Sequence, residues 1–206
     1  MKLEIIPEAL NRLKNPPKEL NFIGDTSLLS MPKVAVVGSR KASVYTKECV
    51  TALCAALKSA NVCVVSGGAI GVDITAHKAA MPQTIGVFAN GLDIIYPAQN
   101  KAAIREIYEK GLALSEYDEG EPPIAYRFLE RNRIVVGLAQ ALVVAQADLR
   151  SGSMQSARLA NELKIPLFVL PQRINESSGT NALLASKKAE LIDDYVKFAS
   201  FFGEVK

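Results

Sequence analysis

Hydrophobic and polar positions along the chain alternate between two kinds of stretch. Short apolar runs rich in β-branched residues occur at Lys33–Val37, Val62–Val65, Thr84–Phe88, Leu112–Ser115, Ala141–Ala145 and Pro166–Leu170, with a weaker one at Glu190–Ile192. A run without polar alternation reads as a strand buried on both faces of a parallel sheet. Between the runs, apolar residues recur at helical spacing. In Ser43–Ser59, Val50, Leu53, Cys54 and Leu57 share one stripe, and Ser43 is a candidate N-cap. Helices are also predicted up to Met81-Pro82, over Asn100–Glu109 with Gly111 as a C′ glycine, over Ile124–Gln140, from Ser151, over Thr180–Lys187 and from Asp193. Leu3–Leu13 reads as an amphipathic helix closed by Asn15-Pro16-Pro17, with an irregular approach over Pro17–Pro32. Strands alternating with helices at this spacing predict right-handed βαβ units and an α/β fold, a doubly wound, mostly parallel sheet flanked by helices. Residues 1–30 are expected to pack as a helix and lead-in on a domain covering residues 31–206.

Composition narrows this picture. The 206 residues are 49% hydrophobic, enough for the full core of one large domain. A net charge of +3 neither demands nor excludes a polyanionic partner, so the placement of the charges has to decide. Three cysteines, Cys49, Cys54 and Cys63, read as reduced core residues, and His77 is the single histidine, little material for a metal centre or a Ser-His-Asp triad. The chain carries neither a signal-peptide pattern nor an apolar stretch of membrane length, and a cytoplasmic location is expected.

Candidate chemistry sits where strands end. Lys33–Ser43 reads KVAVVGSRKAS, a strand broken by Gly38, then Ser39, Arg40 and Lys41 before a helix start. Backbone N–H groups and a guanidinium aimed at one point suit a phosphate, although the pattern is neither G-x-G-x-x-G nor a Walker loop. Three further strand ends carry small residues: Ser66-Gly67-Gly68, Ala89-Asn90-Gly91 and Ser151-Gly152-Ser153. Ligands of doubly wound sheets bind beyond the strands' carboxyl ends, so the four loops outline a groove. From Lys33 to Lys47 there are four basic residues and no acidic one, and Arg127, Arg131 and Arg133 add positive charge against Glu130. Arg131 and Arg133 point about 160° apart on a helix. The competing reading is a solvated basic face with one arginine, Arg133, in a buried salt bridge to Asp73 or Asp93. Phe128 lies one turn before Asn132, where an aromatic beside arginines suits stacking of an unpaired base.

The set GSR (38–40), SGGAIGVD (66–73), ANGLDIIYP (89–97), RNR (131–133), SGSMQSA (151–157) and SGTNALL (178–184) resembles the DNA-processing protein A (DprA/Smf) family. The motifs stand in the family's order, and the resemblance runs from about residue 20 to residue 192. The resemblance implies an extended Rossmann-like domain that binds single-stranded DNA, with double-stranded DNA as a further candidate. It also implies that the protein dimerises and helps load the RecA recombinase during natural transformation, with no cofactor and no metal. Carried over by residue, the DNA pocket comprises Gly38, Ser39, Arg40 and Lys41, with Ser66 and Gly67 beside them. Phe128, Arg131, Asn132 and Arg133 follow along the helix, and Ser151 and Gly152 face them.

Three positions depart from that pattern: Gln146 where the family has an acid, Ser156 for a threonine and Gln172 for a glycine. The competing class is an enzyme. Related phosphoribohydrolases carry a PGGxGT-x-x-E signature, and neither SGGAIGVD nor SGTNALL places a glutamate at that offset. Asp73, Asp93 and Asp148 are the carboxylates near the loops. A small-nucleotide binding protein without chemistry is the third reading.

Overall fold

In the computed structural model, which describes residues 1–204, the apolar runs assemble into one sheet of eight strands. They are β1 (Asn21–Gly24), β2 (Lys33–Val37), β3 (Cys63–Gly67), β4 (Thr84–Phe88), β5 (Leu112–Ser115), β6 (Ala141–Val144), β7 (Leu167–Val169) and β8 (Glu190–Leu191). Their order across the sheet is β1-β5-β4-β3-β2-β6-β7-β8, parallel throughout except where β1 runs against β5. The chain winds outward from β2 through β3, β4 and β5, then restarts at β6 and winds the other way. β2 and β6 are therefore the switch point, in register with Val37 opposite Val144.

Alternate residues of each strand serve opposite faces, which is why the runs show no polar positions. Ala35, Val37, Leu142 and Val144 pack against Ile134 and Leu138 of α4 (Ala125–Leu138) and Ala157 and Ala160 of α5 (Gly152–Glu162). Val34, Val36, Ala141 and Val143 pack against Val50, Leu53 and Leu57 of α1 (Val44–Ser59) and Ala76 of α2 (Val72–Ala80). The stripe read in α1 is buried as expected, and its N-cap is Ser43, whose Oγ accepts from the Thr46 amide at 3.1 Å. α3 (Lys101–Lys110), α6 (Ser178–Ala185) and α7 (Tyr195–Ser200) complete the layers. All three cysteines are free and buried.

Three expectations at the element level change. Leu3–Leu13 forms a single 3-10 stretch, Glu8–Arg12, and the lead-in contains β1. Pro7 before that stretch and Pro16-Pro17 after it leave too few residues for a stable α-helix. β1 is four residues ending in glycine, and its order comes from pairing, Phe22 opposite Leu114. Gly111 does end α3, but with an extended backbone (φ −112°), so it is no left-handed cap. A side chain there would stand 2.8 Å from the Thr84 carbonyl oxygen.

The amino-terminal segment closes α4. Leu10 and Leu13 are buried in the same core as Ile134, and the Arg12 guanidinium donates to the carbonyls of Gly137 and Ala139 at 2.6 Å each. Those are carbonyls that the helix itself leaves without partners. Leu10 is fully buried and Ile5 is 82% exposed, so truncating each should separate packing from mere proximity. Leu10→Ala should lower unfolding free energy by about 2–5 kcal/mol, and Ile5→Ala should change it by under about 0.5 kcal/mol. Urea denaturation followed by circular dichroism measures both.

Candidate functional site

The loops at the switch point are locked to one another before any ligand is considered. The Ser39 amide donates to the Gln146 carbonyl at 2.8 Å, and the Val72 amide donates to the Ser39 carbonyl at 3.2 Å. Gly71 makes the second of these possible: its φ is +84°, and a Cβ there would lie 2.3 Å from the Ser39 oxygen. The two glutamines that depart from the family pattern serve this architecture. Gln146 Oε1 accepts from the Ser43 amide at 3.0 Å and its Nε2 donates to the Glu176 carbonyl at 3.2 Å. Gln172 Nε2 donates to the Ala145 carbonyl at 2.9 Å and to Thr46 Oγ1 at 3.0 Å.

α4 starts at the carboxyl edge of the sheet, and its first turns present Ala125, Phe128, Leu129 and Asn132 on one face, the spacing of helical neighbours. Opposite stands the start of α5, where Ser151 Oγ caps the Met154 amide at 3.3 Å and Gly152 and Ser153 follow. Between them and the Gly38-Ser39-Arg40 loop is a cavity of about 360 Å³. A second cavity, of about 150 Å³, lies between Ile70, Phe88, Asn90 and Tyr96. Arg40, Ala69, Phe128 and Arg131 line both. The exposed Arg40 guanidinium sits 5.5 Å over the Phe128 ring, and Tyr96 packs against the same ring at 5.8 Å, so this trio forms the ridge between the two cavities.

Beneath the ridge lies Arg131, only 4% exposed, donating to the Val87 carbonyl of β4. Its Nε is buried with no hydrogen-bond partner among the described residues. Asp73 of α2 shares the space over Gly67, where a Cβ would come within 2.5–2.6 Å of both side chains. Burial pushes the Asp73 carboxyl up to about 6, although Arg131 and Arg40 pull the other way. His77 lies below, Nε2 at 2.7 Å from the Gly67 carbonyl and Nδ1 at 2.7 Å from Thr84 Oγ1. A carbonyl only accepts, so Nε2 carries the proton and Nδ1 accepts from the threonine. Burial holds this imidazole down at about 4, with Arg131 lowering it further.

The sequence-picked residues divide accordingly. Gly38, Ser39, Arg40, Gly67, Phe128, Arg131, Asn132, Ser151 and Gly152 line the larger cavity. Lys41 is exposed beside it, its amide bonded to Ser39 Oγ at 3.0 Å. Ser66 is fully buried and donates to the Val36 carbonyl at 2.6 Å, spent on the sheet. The deeply buried arginine is Arg131 and not Arg133, although Arg131 also lines the cavity as expected. Arg133 pairs with Glu116, not with Asp73 or Asp93, at 2.6 and 2.8 Å on the far side of α4. Arg127 is also taken, by Glu121, the Pro122 carbonyl and the face of Tyr117. Lys33 lies at the opposite end of β2, bonded to the Leu29 and Met31 carbonyls. Asp93 accepts from the Gly120 amide at 3.0 Å. Tyr96 and Ile70, which the sequence offers only inside two of the quoted motifs, line the smaller cavity, and Asp148, one of the three carboxylates near the loops, lines the larger one. Among the described residues no three His, Cys, Asp or Glu side chains converge as metal ligands, and no helix is long and apolar enough to cross a membrane.

The sequence profile of the family described as DNA recombination-mediator protein A matches residues 2–203. DNA processing protein DprA of Streptococcus pneumoniae is 40% identical over 171 residues, 82% of this chain and 60% of that protein. Protein Smf of Escherichia coli is 36% identical over 203 residues, 93% of this chain and 54% of that protein. The chain thus spans between half and three-fifths of these two relatives. The solved structure of DNA processing protein A from Helicobacter pylori, described for its single-stranded DNA binding mode, superposes with a TM-score of 0.95 at 48% identity. That match covers 98% of this chain and 94% of that one.

The two buried titrating groups pull acid stability in opposite directions. His77 has its folded value depressed below the usual 6.5, so the native state binds fewer protons than the unfolded chain, and stability falls as pH drops from about 6.5 towards 4. Asp73 has its folded value raised, so its contribution grows as pH drops from about 6 to 3.8. His77→Gln removes only the first slope. Between pH 7 and 4.5 the parent should therefore lose about 2–3 kcal/mol more than the variant, read from urea midpoints at each pH.

Proposed function

The chain belongs to the DNA recombination-mediator protein A family, and from that premise we propose that it binds single-stranded DNA in the groove at the sheet's switch point. The protein shelters incoming DNA there and helps to load the RecA recombinase in natural transformation, working in the cytoplasm. One observation carries the reading. Arg40 is an exposed cation that makes no ion pair among the described residues, poised over an aromatic ring between two cavities. A guanidinium beside a stackable ring suits one phosphate and one base of an unpaired strand. Lys41, Asn132 and the first amides of α5 surround the same place.

The action proposed is binding without bond chemistry. Asp73 is enclosed beside Arg131, Asp93 is tied to the Gly120 amide, and Gln146 is committed to two loop hydrogen bonds. The cavity volumes favour one alternative, a mononucleotide ligand, because about 360 Å³ is within the range of small-molecule sites. Competition separates the two: an oligonucleotide displaced only by other oligonucleotides supports strand binding, and displacement by micromolar mononucleotide supports the alternative.

We also propose that the protein works as a dimer through its carboxyl-terminal face. Phe198 is buried between Phe168 and Phe202, whereas Phe201 is 68% exposed, and Val196 and Leu191 are exposed elsewhere on the same terminal segment. Exposed apolar side chains on the segment that follows a two-residue edge strand suit a two-fold interface. Phe201→Glu should convert a dimer into a monomer in light scattering at micromolar concentration. A monomeric parent at high micromolar concentration would refute the dimer.

Arg40→Ala should cost roughly 1.5–3 kcal/mol of single-strand affinity, the scale of a hydrogen bond to a charged group. The log–log salt slope should flatten by about 0.7 for each phosphate that is no longer neutralised. Folding should hold, because the side chain faces solvent. Arg133→Ala is the contrast: it strips Glu116 of its partner, so it should lower stability and leave the salt slope alone. Fluorescence anisotropy at several salt concentrations, with thermal melts, checks both.

A further inference from the structure

The sheet has a second charged edge, at the amino ends of β7 and β8 and away from the groove. Lys164 precedes β7, and Lys187 and Lys188 precede β8. The two strands are parallel neighbours, with Phe168 opposite Glu190, so the three lysines meet around one cavity of about 370 Å³. All three are exposed, and none makes an ion pair among the described residues. Glu190 lines the same cavity, one carboxylate against three ammonium groups. The aromatic ring in its wall, Phe168, is half-buried and packs edge-on against Phe198 at 4.9 Å.

Two of these lysines hold backbone positions that disfavour them. α5 and α6 both end in a Schellman turn: the Ile165 amide donates to the Ala160 carbonyl at 2.8 Å, and the Lys188 amide to the Leu183 carbonyl at 2.9 Å. The left-handed residue of each turn is a lysine, Lys164 at φ +56° and Lys187 at φ +54°, where a glycine would be relaxed. α1 closes on the same turn with the uncharged Asn61, so the turn by itself calls for no cation. Strain of this kind persists where a residue serves a site.

We propose that the three lysines form a second nucleic-acid surface, which takes the phosphate backbone of duplex DNA independently of the groove. An unpaired base needs a free ring to stack on, and the Phe168 ring is already taken. A surface that offers charge alone responds to charge density, and a duplex carries one phosphate per about 1.7 Å of its axis. The groove has the opposite character, one exposed arginine over an aromatic ring. The two edges thus sort paired from unpaired DNA.

The test is fluorescence anisotropy on the whole chain with a labelled blunt duplex and, separately, labelled oligo-dT. Replacing all three, Lys164→Gln, Lys187→Gln and Lys188→Gln, removes the charge and leaves polar side chains in place. Each phosphate contact is worth about 0.9 of log–log salt slope on a duplex, so between 50 and 200 mM salt the parent should lose roughly fortyfold more duplex affinity than the variant. Oligo-dT binding should be unchanged. Lys164→Gly with Lys187→Gly relaxes both turns, so it should raise the melting temperature and still weaken duplex binding. Should the triple variant fail to fold, this pair decides. Parental duplex affinity and salt slope in a folded variant overturn the surface, as does a parent that binds no duplex. Arg40→Ala tells the edges apart: it should weaken oligo-dT and spare the duplex, and equal loss of both overturns the second surface. A parent that binds duplex through these lysines but no oligo-dT removes the groove reading and leaves this surface standing.

Discussion

The carboxyl edge of this sheet is organised around one desolvated cation, the guanidinium of Arg131. Taking an unpaired charge out of water costs several kcal/mol, so its surroundings must answer it from all sides. Val87 of β4 supplies a carbonyl, and Asp73 of α2 supplies an opposing charge across Gly67 of β3. Position 67 must then be glycine, because any side chain would occupy the space of both ionic groups. His77 must stay neutral, since a second cation beside Arg131 would have no compensation, and its two ring nitrogens are fixed accordingly. α4, β3, β4 and α2 thus converge on one group, and the ridge of Arg40 and Phe128 stands above it.

That buried cation was partly legible in the sequence. The wheel placed Arg131 and Arg133 on opposite sides of the helix, but the assignment of the inward one went wrong. The signal was present: Arg131 lies three, four and seven residues before Ile134, Val135 and Leu138, all essentially fully buried. It falls on the core stripe, where an arginine is read as exposed only by habit of residue type. The parallel strands were legible for the opposite reason, that burial on both faces leaves no polar position to blur them. β1 was not, because four residues ending in glycine carry no period of their own and owe their order to the β5 edge. The loop glycines were visible as a groove, yet Gly38 and Gly71 serve loop-to-loop packing: a Cβ at 38 would stand 2.6 Å from Val72.

Charge counting along the chain overstated how basic the groove is. Of the arginines on α4, Arg127 and Arg133 are neutralised by Glu121 and Glu116. The acidic stretch before the helix folds back along it, anchored where Asp93 accepts from the Gly120 amide. Lys33 caps carbonyls at the other end of the sheet. An acidic run next in sequence to a basic helix is a ready source of partners, and its proximity decides the outcome before any ligand arrives.

What remains facing the groove is Arg40, Lys41 at its rim and the desolvated Arg131, set against Asp73 and Asp148. Counterion release from so few cations is small, since each phosphate neutralised contributes about 0.7 to the salt slope on single strands. If the groove takes single-stranded DNA, most of its affinity must therefore come from stacking and from donors that salt does not screen, which the half-buried ridge is built to provide. On that reading one such groove alone would grip a strand weakly. Two grooves held at fixed separation convert the second capture into an intramolecular event, and the gain depends on the span between them rather than on any added interaction. The sparse charge of the site and the proposed two-fold assembly are thus one argument: on the proposed reading, a groove this nearly neutral would need a second copy to hold a strand in physiological salt.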